Sequence, residues 1–204
     1  MLSLLFSNPL TFIVVFGGII IAIGIHEAAH CYMADFLGDP TPRSRGRLTL
    51  NPIAHLDPLG TLVLLVTGRF GWGKPSPYDP YNLANPKRDS ALIALAGPAS
   101  NILIAGLLSV ILHLVPLSVY VSSALTSILA INVFLALFNL IPVPPLDGSK
   151  VVGVLMSAES AARYQSSTNP LLILLLILPI IGGASLAAIL ISPLANILLS
   201  FLIP

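Results

Sequence analysis

The residues of this chain whose types and spacing best suit chemistry are His26 and His30, with Glu27 beside them. On an α-helix, positions i and i+4 share a face with roughly 5–6 Å between Cβ atoms, so both imidazoles can bind one Zn²⁺ while Glu27 stands next to it. The three residues lie inside an unbroken apolar stretch, residues 10–37, where ionisable groups are costly without a compensating partner. The alternative is a chance match on a core helix. Spacing and location together predict a zinc site inside a membrane helix.

Composition defines the elements that must position this site. Apolar residues make up 56% of the 204 residues and charged residues only 8%, against about 25% charged in a typical soluble domain. We therefore expect an all-α polytopic protein embedded in a lipid bilayer. There is no basic tract, so nucleic acid is not an expected partner, and the single cysteine, Cys31, excludes an intrachain disulfide. We assign Cys31 to helix packing, with a role as a metal ligand as the alternative.

The length allows four or five spans but no added folded domain of typical size. We expect one membrane-embedded domain over residues 1–204, with a core at about 10–150 and a C-terminal helical region at about 170–204. The N-terminus has no basic region and no small-residue cleavage site, so the first span should be retained.

Four apolar regions predict about four transmembrane helices. They cover residues 10–37, 86–114, 119–141 and a final region from 171, kinked at Pro179 and at 182–183. Gly38 and Pro40 should end the first helix, and Asn85 with Pro86 should begin the second. Residues 115–118 form a tight reversal that makes the middle two helices antiparallel, and prolines at 142–145 break the third. Whether residues 193–204 extend the last helix or fold back is open at this stage.

Two shorter segments have distinct patterns. The alternation of residues 43–50 suggests a short β-strand, and the apolar piece 59–66 is too short to cross a bilayer, which predicts a re-entrant or interfacial element. Both flanking loops are basic, through Arg43, Arg45, Arg47, Arg69, Lys74, Lys87 and Arg88. A re-entrant segment keeps both loops on the cytoplasmic side. It also brings Asp147 to the side on which the first helix ends.

Two histidines leave zinc short of the three protein ligands that it usually keeps. Asp147 is the best candidate for the third, because it follows a proline-rich break at the end of an apolar span and precedes Gly148. The alternative is a solvated loop aspartate that caps the next helix.

Three segments in this order resemble the signature motifs of the site-2 proteases, the intramembrane zinc metalloproteases: residues 26–30 (HEAAH), 97–101 (GPASN) and 139–148 (NLIPVPPLDG). The resemblance implies that His26, His30 and Asp147 bind zinc and that Glu27 is the general base. Residues 51–60 (NPIAHLDPLG) are similar to the compact branch of the family. The chain has no room for a PDZ or CBS domain, so substrate recruitment by such domains is not expected.

The expected activity is hydrolysis of peptide bonds in or near transmembrane segments, with a membrane protein or peptide as substrate. By resemblance, targets include membrane-tethered regulators or remnant signal peptides. The basic loops predict a site toward the cytoplasmic side, and we expect the plasma membrane as its location. A transmembrane substrate must unwind before its carbonyl groups become reachable. Exposed substrate backbone could then bond to Asn101, Asn139 or the edge of a strand at 48–51, although the asparagines could equally join helices to one another.

His55 and Asp57 are expected, by the family resemblance, to act as a pair that supports the metal ligands or transfers protons, with plain loop capping as the alternative. His113 is assigned no chemistry. Two other hypotheses compete with a protease: an inactive relative that binds zinc or a membrane helix, and a secondary transporter. Glu27 argues against the first, and the lack of two related halves with paired broken helices argues against the second. Substrate identity and oligomeric state are left open.

Overall fold

The computed structural model describes residues 2–67, 71–167, 176–181 and 184–204. Its helices are α1 (Leu2–Ser7), α2 (Pro9–Phe36), α3 (Thr41–Ser44), α4 (Pro58–Thr67), α5 (Pro86–Leu114), α6 (Val119–Asn139), α7 (Asp147–Gly153), α8 (Ala158–Ser166) and α9 (Leu186–Leu202). Short 3₁₀ turns lie at Pro52–His55 and Pro80–Asn82, and strands β1 (Pro179–Ile181) and β2 (Ala184–Ser185) form a small antiparallel pair.

Three helices of the described residues are long and apolar enough to cross a bilayer: α2, α5 and α6. They pack against one another and leave large apolar side chains on their outer surfaces, including Leu103 and Leu107 of α5. Such side chains suit a lipid environment. Helix α9, with 17 residues, is at the short end of the range that spans a bilayer. The prediction of an all-α membrane protein is confirmed.

The apolar core lies among α5, α6 and α9. Its fully buried members include Ala105 of α5, Leu129 and Val133 of α6, and Ala195 of α9. Small residues on α5 and α9 allow these helices to approach the larger side chains of α6 closely. The C-terminal helix α9 therefore supports α5 and α6, the spans that contain Asn101 and Asn139.

Helix α2 ends as the sequence predicts. Gly38 adopts a positive φ of 101° directly after the last turn, a conformation that favours glycine. Asp39, fully buried, then accepts hydrogen bonds from the backbone N–H groups of Thr41 and Asp79 and from the side chains of Thr41 and Asn82. Burial raises the pKa of Asp39, but these bonds outweigh it and hold the pKa below its usual value. They also fix the end of α2 beside the start of α5.

Helix α4 and the chain that returns from it form a hairpin. Leu56, before α4, pairs with Gly73 in an antiparallel bridge, and the Lys74 N–H donates to the His55 carbonyl at 2.7 Å. Both ends of the hairpin therefore lie together. With only 10 residues, α4 is too short to cross the bilayer. The fold of this hairpin therefore agrees with the predicted re-entrant or interfacial geometry.

Two local predictions are wrong. Residues 43–50 contain no strand: α3 takes up Thr41–Ser44, and Gly46, with a φ of 65°, closes the turn after it. The alternating arginines do not share one face of a strand. Arg47 turns into the interior, whereas Arg43 lies at the surface and forms an ion pair with Asp35 at 2.7 Å. The predicted kink of a terminal helix at Pro179 is instead the start of the β1–β2 pair. Residues 182–183, the other predicted kink, lie outside the described residues, and α9 continues as a helix through Pro193 to Leu202.

Candidate metal centre

The histidines of α2 and the aspartate that begins α7 meet in the interior. The Nε2 atoms of His26 and His30 lie 3.1 and 3.2 Å from the same carboxylate oxygen of Asp147. All three side chains are buried, and one ligand atom from each lies within 4.8 Å of the others. The residues that the sequence singles out as metal ligands are thus brought together, although Asp147 follows His26 by 121 positions.

The opposite nitrogen of each imidazole fixes the orientation of the ring. Asn101 Oδ1 lies 2.6 Å from His26 Nδ1, and the Ile93 carbonyl oxygen lies 2.7 Å from His30 Nδ1. Both partners are acceptors, so each Nδ1 must carry the proton. Each Nε2 then presents a lone pair, the state in which imidazole binds a metal.

With both rings neutral, this arrangement is unfavourable unless a metal ion or an added proton lies between the acceptors. Two Nε2 lone pairs and a carboxylate oxygen face one another in a site shielded from water, and like partial charges at such separations repel. Zinc bonds of about 2.0–2.2 Å in a tetrahedral site place neighbouring ligand atoms about 3.3–3.6 Å apart, and the two observed separations of 3.1 and 3.2 Å lie just below this range. The donor set fits zinc.

Helix α5 approaches the imidazoles closely at Gly97. A Cβ atom there would lie 2.5 Å from His30 Nε2 and 2.6 Å from His26 Nε2. The next residue, Pro98, has no N–H to donate to the Ala94 carbonyl, which loosens the helix one residue away from the Ile93 carbonyl that receives His30. The glycine and proline therefore have separate tasks: one makes room for the rings and the other loosens the backbone beside them.

Glu27 is half-buried on the same helix and faces the cavity. The Ser76 hydroxyl lies 2.7 Å from the Glu27 carboxylate oxygen Oε2 and 2.7 Å from the Glu27 backbone carbonyl. Glu27 is not a member of the ligand group formed by His26, His30 and Asp147. Its carboxylate therefore stands beside the metal centre without belonging to the ligand set.

The predicted pair of His55 and Asp57 does not form. His55 donates from Nε2 to the Thr49 carbonyl at 2.8 Å, and its Nδ1 accepts from the Arg47 guanidinium at 3.2 Å. Burial, together with the nearby Arg47 charge, lowers the pKa of His55 and keeps the ring neutral. Asp57 accepts the Gly60 N–H at 2.7 Å and so caps α4. The capping alternative describes Asp57, whereas His55 supports the loop that faces Glu27.

The two predicted asparagines differ in position. Asn101 is fully buried behind His26, and its amide donates to the Ala22 carbonyl at 3.3 Å and to Asn132 Oδ1 at 2.8 Å. It joins α2, α5 and α6 and orients a histidine. Asn139 donates to the Leu135 carbonyl of its own helix but lines the cavity, where a substrate could reach it.

A cavity of about 530 Å³ opens onto the site. His26, Glu27, His30 and Asp147 form its polar floor. Its walls are mostly apolar and come from α2, α6, α7 and the returning limb of the α4 hairpin: Ile23, Trp72, Leu135, Phe138 and Leu146. A large apolar cavity with a few convergent polar groups is typical of a binding or active site.

Sequence reasoning missed three contributors to this site: Ser76, Arg47 and Asn132. Arg47 belongs to a run of arginines that reads as a basic loop, and no local pattern distinguishes the one that turns inward. His113, by contrast, donates only to the Ser109 carbonyl of its own helix among the contacts of the described residues, and Cys31 is buried in packing.

Fold and site define a membrane-embedded metalloprotease with zinc as its cofactor, and comparison with known proteins agrees. The model of peptidase family M50 matches residues 117–179. A Bacillus subtilis protein named "Putative zinc metalloprotease YwhC" is 37% identical over 169 residues, which cover 78% of this chain and 77% of that protein. The chain therefore belongs to peptidase family M50, as its resemblance to site-2 proteases predicts.

Two mycobacterial relatives are longer than this chain. Proteins named "Putative zinc metalloprotease Rip2" are 32% identical over 143 residues in Mycolicibacterium smegmatis and 26% over 174 residues in Mycobacterium tuberculosis H37Rv. The matches cover 67% and 82% of this chain but 55% and 66% of the relatives. No solved structure matches the chain.

Proposed function

We propose that this protein is an intramembrane zinc endopeptidase that hydrolyses peptide bonds in or near transmembrane segments of membrane proteins. His26, His30 and Asp147 hold the metal, and Glu27 is the general base. The observation that carries the proposal is the convergence of His26, His30 and Asp147 beside Glu27 inside a bundle of apolar helices.

The depth of the site supports cleavage within the membrane. His30 and His26 lie six and ten residues before the end of α2 at Phe36, which corresponds to about 9 and 15 Å along a helix. A bilayer's hydrocarbon core is about 30 Å thick. The metal centre is therefore well below the surface, at a depth that a transmembrane substrate can reach without leaving the bilayer.

Zinc, when bound, polarises a carbonyl group and lowers the pKa of water toward 7. Glu27 accepts the proton from the attacking water and passes it to the departing amine, for which its half-buried carboxylate beside the ligands is suited. Asn101 and the Ile93 carbonyl keep the two imidazoles fixed while charge changes nearby. The apolar walls of the cavity hold an unwound substrate segment and exclude bulk water.

The test compares the wild-type protein with Glu27→Gln, both loaded with zinc in liposomes, on a single-span substrate. The glutamine keeps the shape of the side chain but cannot accept a proton, so we expect normal zinc content and no cleavage. Normal cleavage by this variant would show that Glu27 is not the general base. Bound but uncut substrate with both proteins would favour the inactive, helix-binding alternative.

We further propose that the site faces the cytoplasmic side of the plasma membrane, since the basic loops around the end of α2 and the start of α5 lie together. Single cysteines at Ser44 and at the highly exposed Tyr81, in a Cys31→Ala background, should both be labelled only from the cytoplasmic face of sealed vesicles. Labelling of both cysteines from the outside would show that the site faces the opposite side of the membrane.

A further inference from the structure

We propose that Ser76 and Arg47 are positioning residues for Glu27: the Ser76 hydroxyl holds the Glu27 carboxylate toward the cavity, and Arg47 fixes the backbone that carries Ser76. The inference deepens the proposed function, because it assigns to Glu27 the role described above. Among the hydrogen bonds of the described residues, neither Ser76 nor Arg47 touches the predicted metal ligands.

The Ser76 hydroxyl joins two parts of the same glutamate. Its oxygen lies 2.7 Å from both the backbone carbonyl and the carboxylate Oε2 of Glu27. The single hydroxyl proton is shared between these two acceptors, which ties the flexible glutamate side chain to its own helix backbone and leaves it few rotamers. The backbone at Gly73 also passes close to the stem of this side chain, since a Cβ atom added there would lie only 3.0 Å from Glu27 Cγ.

The segment that carries Ser76 is held by a buried guanidinium. Arg47, 6% exposed, donates to the Lys74 carbonyl at 2.8 Å and to the Pro75 carbonyl at 3.4 Å, as well as to His55. The Lys74 N–H in turn donates to the His55 carbonyl. Lys74 is therefore held at both its carbonyl and its N–H, and Pro75 at its carbonyl.

Arg47 has no carboxylate partner among the ion pairs of the described residues. Burying a cation is costly, and backbone carbonyls and a neutral imidazole are its compensation here. A guanidinium can reach two successive carbonyls with two nitrogens of its planar fork, whereas a lysine ammonium has all its donors on one nitrogen. The geometry assigns to Arg47 the task of holding this loop in one conformation beside α2.

The first experiment measures kcat, KM and zinc content of Ser76→Ala and Ser76→Thr, with Ser44→Ala as the matched control. Ser44 also donates to a backbone carbonyl, that of Thr41, but lies away from the cavity. We expect kcat of Ser76→Ala to fall roughly 10- to 100-fold, the usual effect of losing an orienting partner, with KM and zinc content unchanged. Ser76→Thr keeps the hydroxyl and should recover most of the loss. Wild-type kcat in Ser76→Ala, loss of zinc, or no recovery in Ser76→Thr would overturn the role of Ser76.

The second experiment combines Ser76→Ala with Arg47→Lys. If Arg47 acts through Ser76, the double variant loses no more than about twofold beyond the worse single variant. Multiplied losses would mean that Arg47 acts by another route and would overturn its half of the proposal. Melting curves of all variants show whether Arg47→Lys still folds, and the Ser76 series decides the inference independently if it does not.

A spectroscopic measurement on zinc-free protein separates this inference from the proposed function. The infrared carboxyl band of Glu27, obtained as the difference between wild type and Glu27→Gln, should shift in Ser76→Ala and stay in place in Ser44→Ala. An unmoved band in Ser76→Ala would overturn the contact. If wild-type protein cuts no substrate while the band shifts, the proposed function fails but the contact between Ser76 and Glu27 holds.

Discussion

Replacing Gly97 with alanine should weaken zinc binding while leaving the fold intact. The added Cβ atom would lie 2.5 Å from His30 Nε2 and 2.6 Å from His26 Nε2, whereas carbon contacts are optimal at about 3.5–4.0 Å. Each ring must therefore retreat by about 1 Å or α5 must withdraw. The rings cannot retreat freely, because Asn101 and the Ile93 carbonyl hold their Nδ1 atoms.

The displacement of the rings is expected to lower the affinity for zinc. Moving a ring by about 1 Å breaks the bond at Nδ1 or turns Nε2 away from Asp147, and loss of such an orienting bond weakens metal affinity by about 10- to 100-fold. That is about 1.4–2.8 kcal/mol of binding free energy. Helix stability changes in the other direction, since alanine in place of glycine favours a helix by about 0.5–1 kcal/mol.

Gly106 provides the matched control, because it lies on the same helix and a Cβ atom there would contact nothing within 4 Å. Zinc affinity is measured by competition with a chelator, and folding by circular dichroism melts in detergent. Gly106→Ala should bind zinc like the wild type and melt no lower. If Gly97→Ala bound zinc as tightly as Gly106→Ala, the close approach of α5 to the imidazoles would be refuted.

Three further outcomes are expected. Asp147→Ala should lose both zinc and activity while His113→Ala loses neither, because two histidines leave an incomplete site; full zinc content without Asp147 would require another ligand. Asn101→Ala should weaken zinc binding about 10- to 100-fold through the freed Nδ1 of His26, and unchanged affinity would contradict its orienting role. Because its hydrogen bonds hold the pKa of Asp39 below the usual value, the stability it contributes is present above about pH 4 and is lost as the pH falls through the lowered pKa. Melts of wild type and Asp39→Asn should therefore converge toward low pH, and a difference that stays constant down to about pH 3 would contradict this.

Local patterns predict the spans and their ends because each depends on nearby residues. Gly38 ends α2 through a positive φ, and Pro86 begins α5, which requires only the first turn of that helix. The wrong strand at residues 43–50 has a different origin. An alternation of polar and apolar residues indicates two faces, but which face is buried depends on what packs against it, and here Arg47 is drawn inward by the carbonyls of residues 74 and 75.

The apolar spans and the HEAAH motif are enough to predict the class of the protein and the chemistry of its centre. Apolar runs of bilayer length require helices. Two histidines four residues apart with a glutamate beside the first are suited to zinc-dependent hydrolysis in any fold that keeps them helical. Which residues surround that centre depends on how the helices and the α4 hairpin pack together. Ser76 and Arg47 share no local pattern with the metal-binding histidines, and the motif at residues 97–101 singles out Asn101 without revealing its partners. Their roles follow from hydrogen bonds made only after α5 and the α4 hairpin pack against α2, because a hydrogen bond depends on atomic positions that no local spacing encodes.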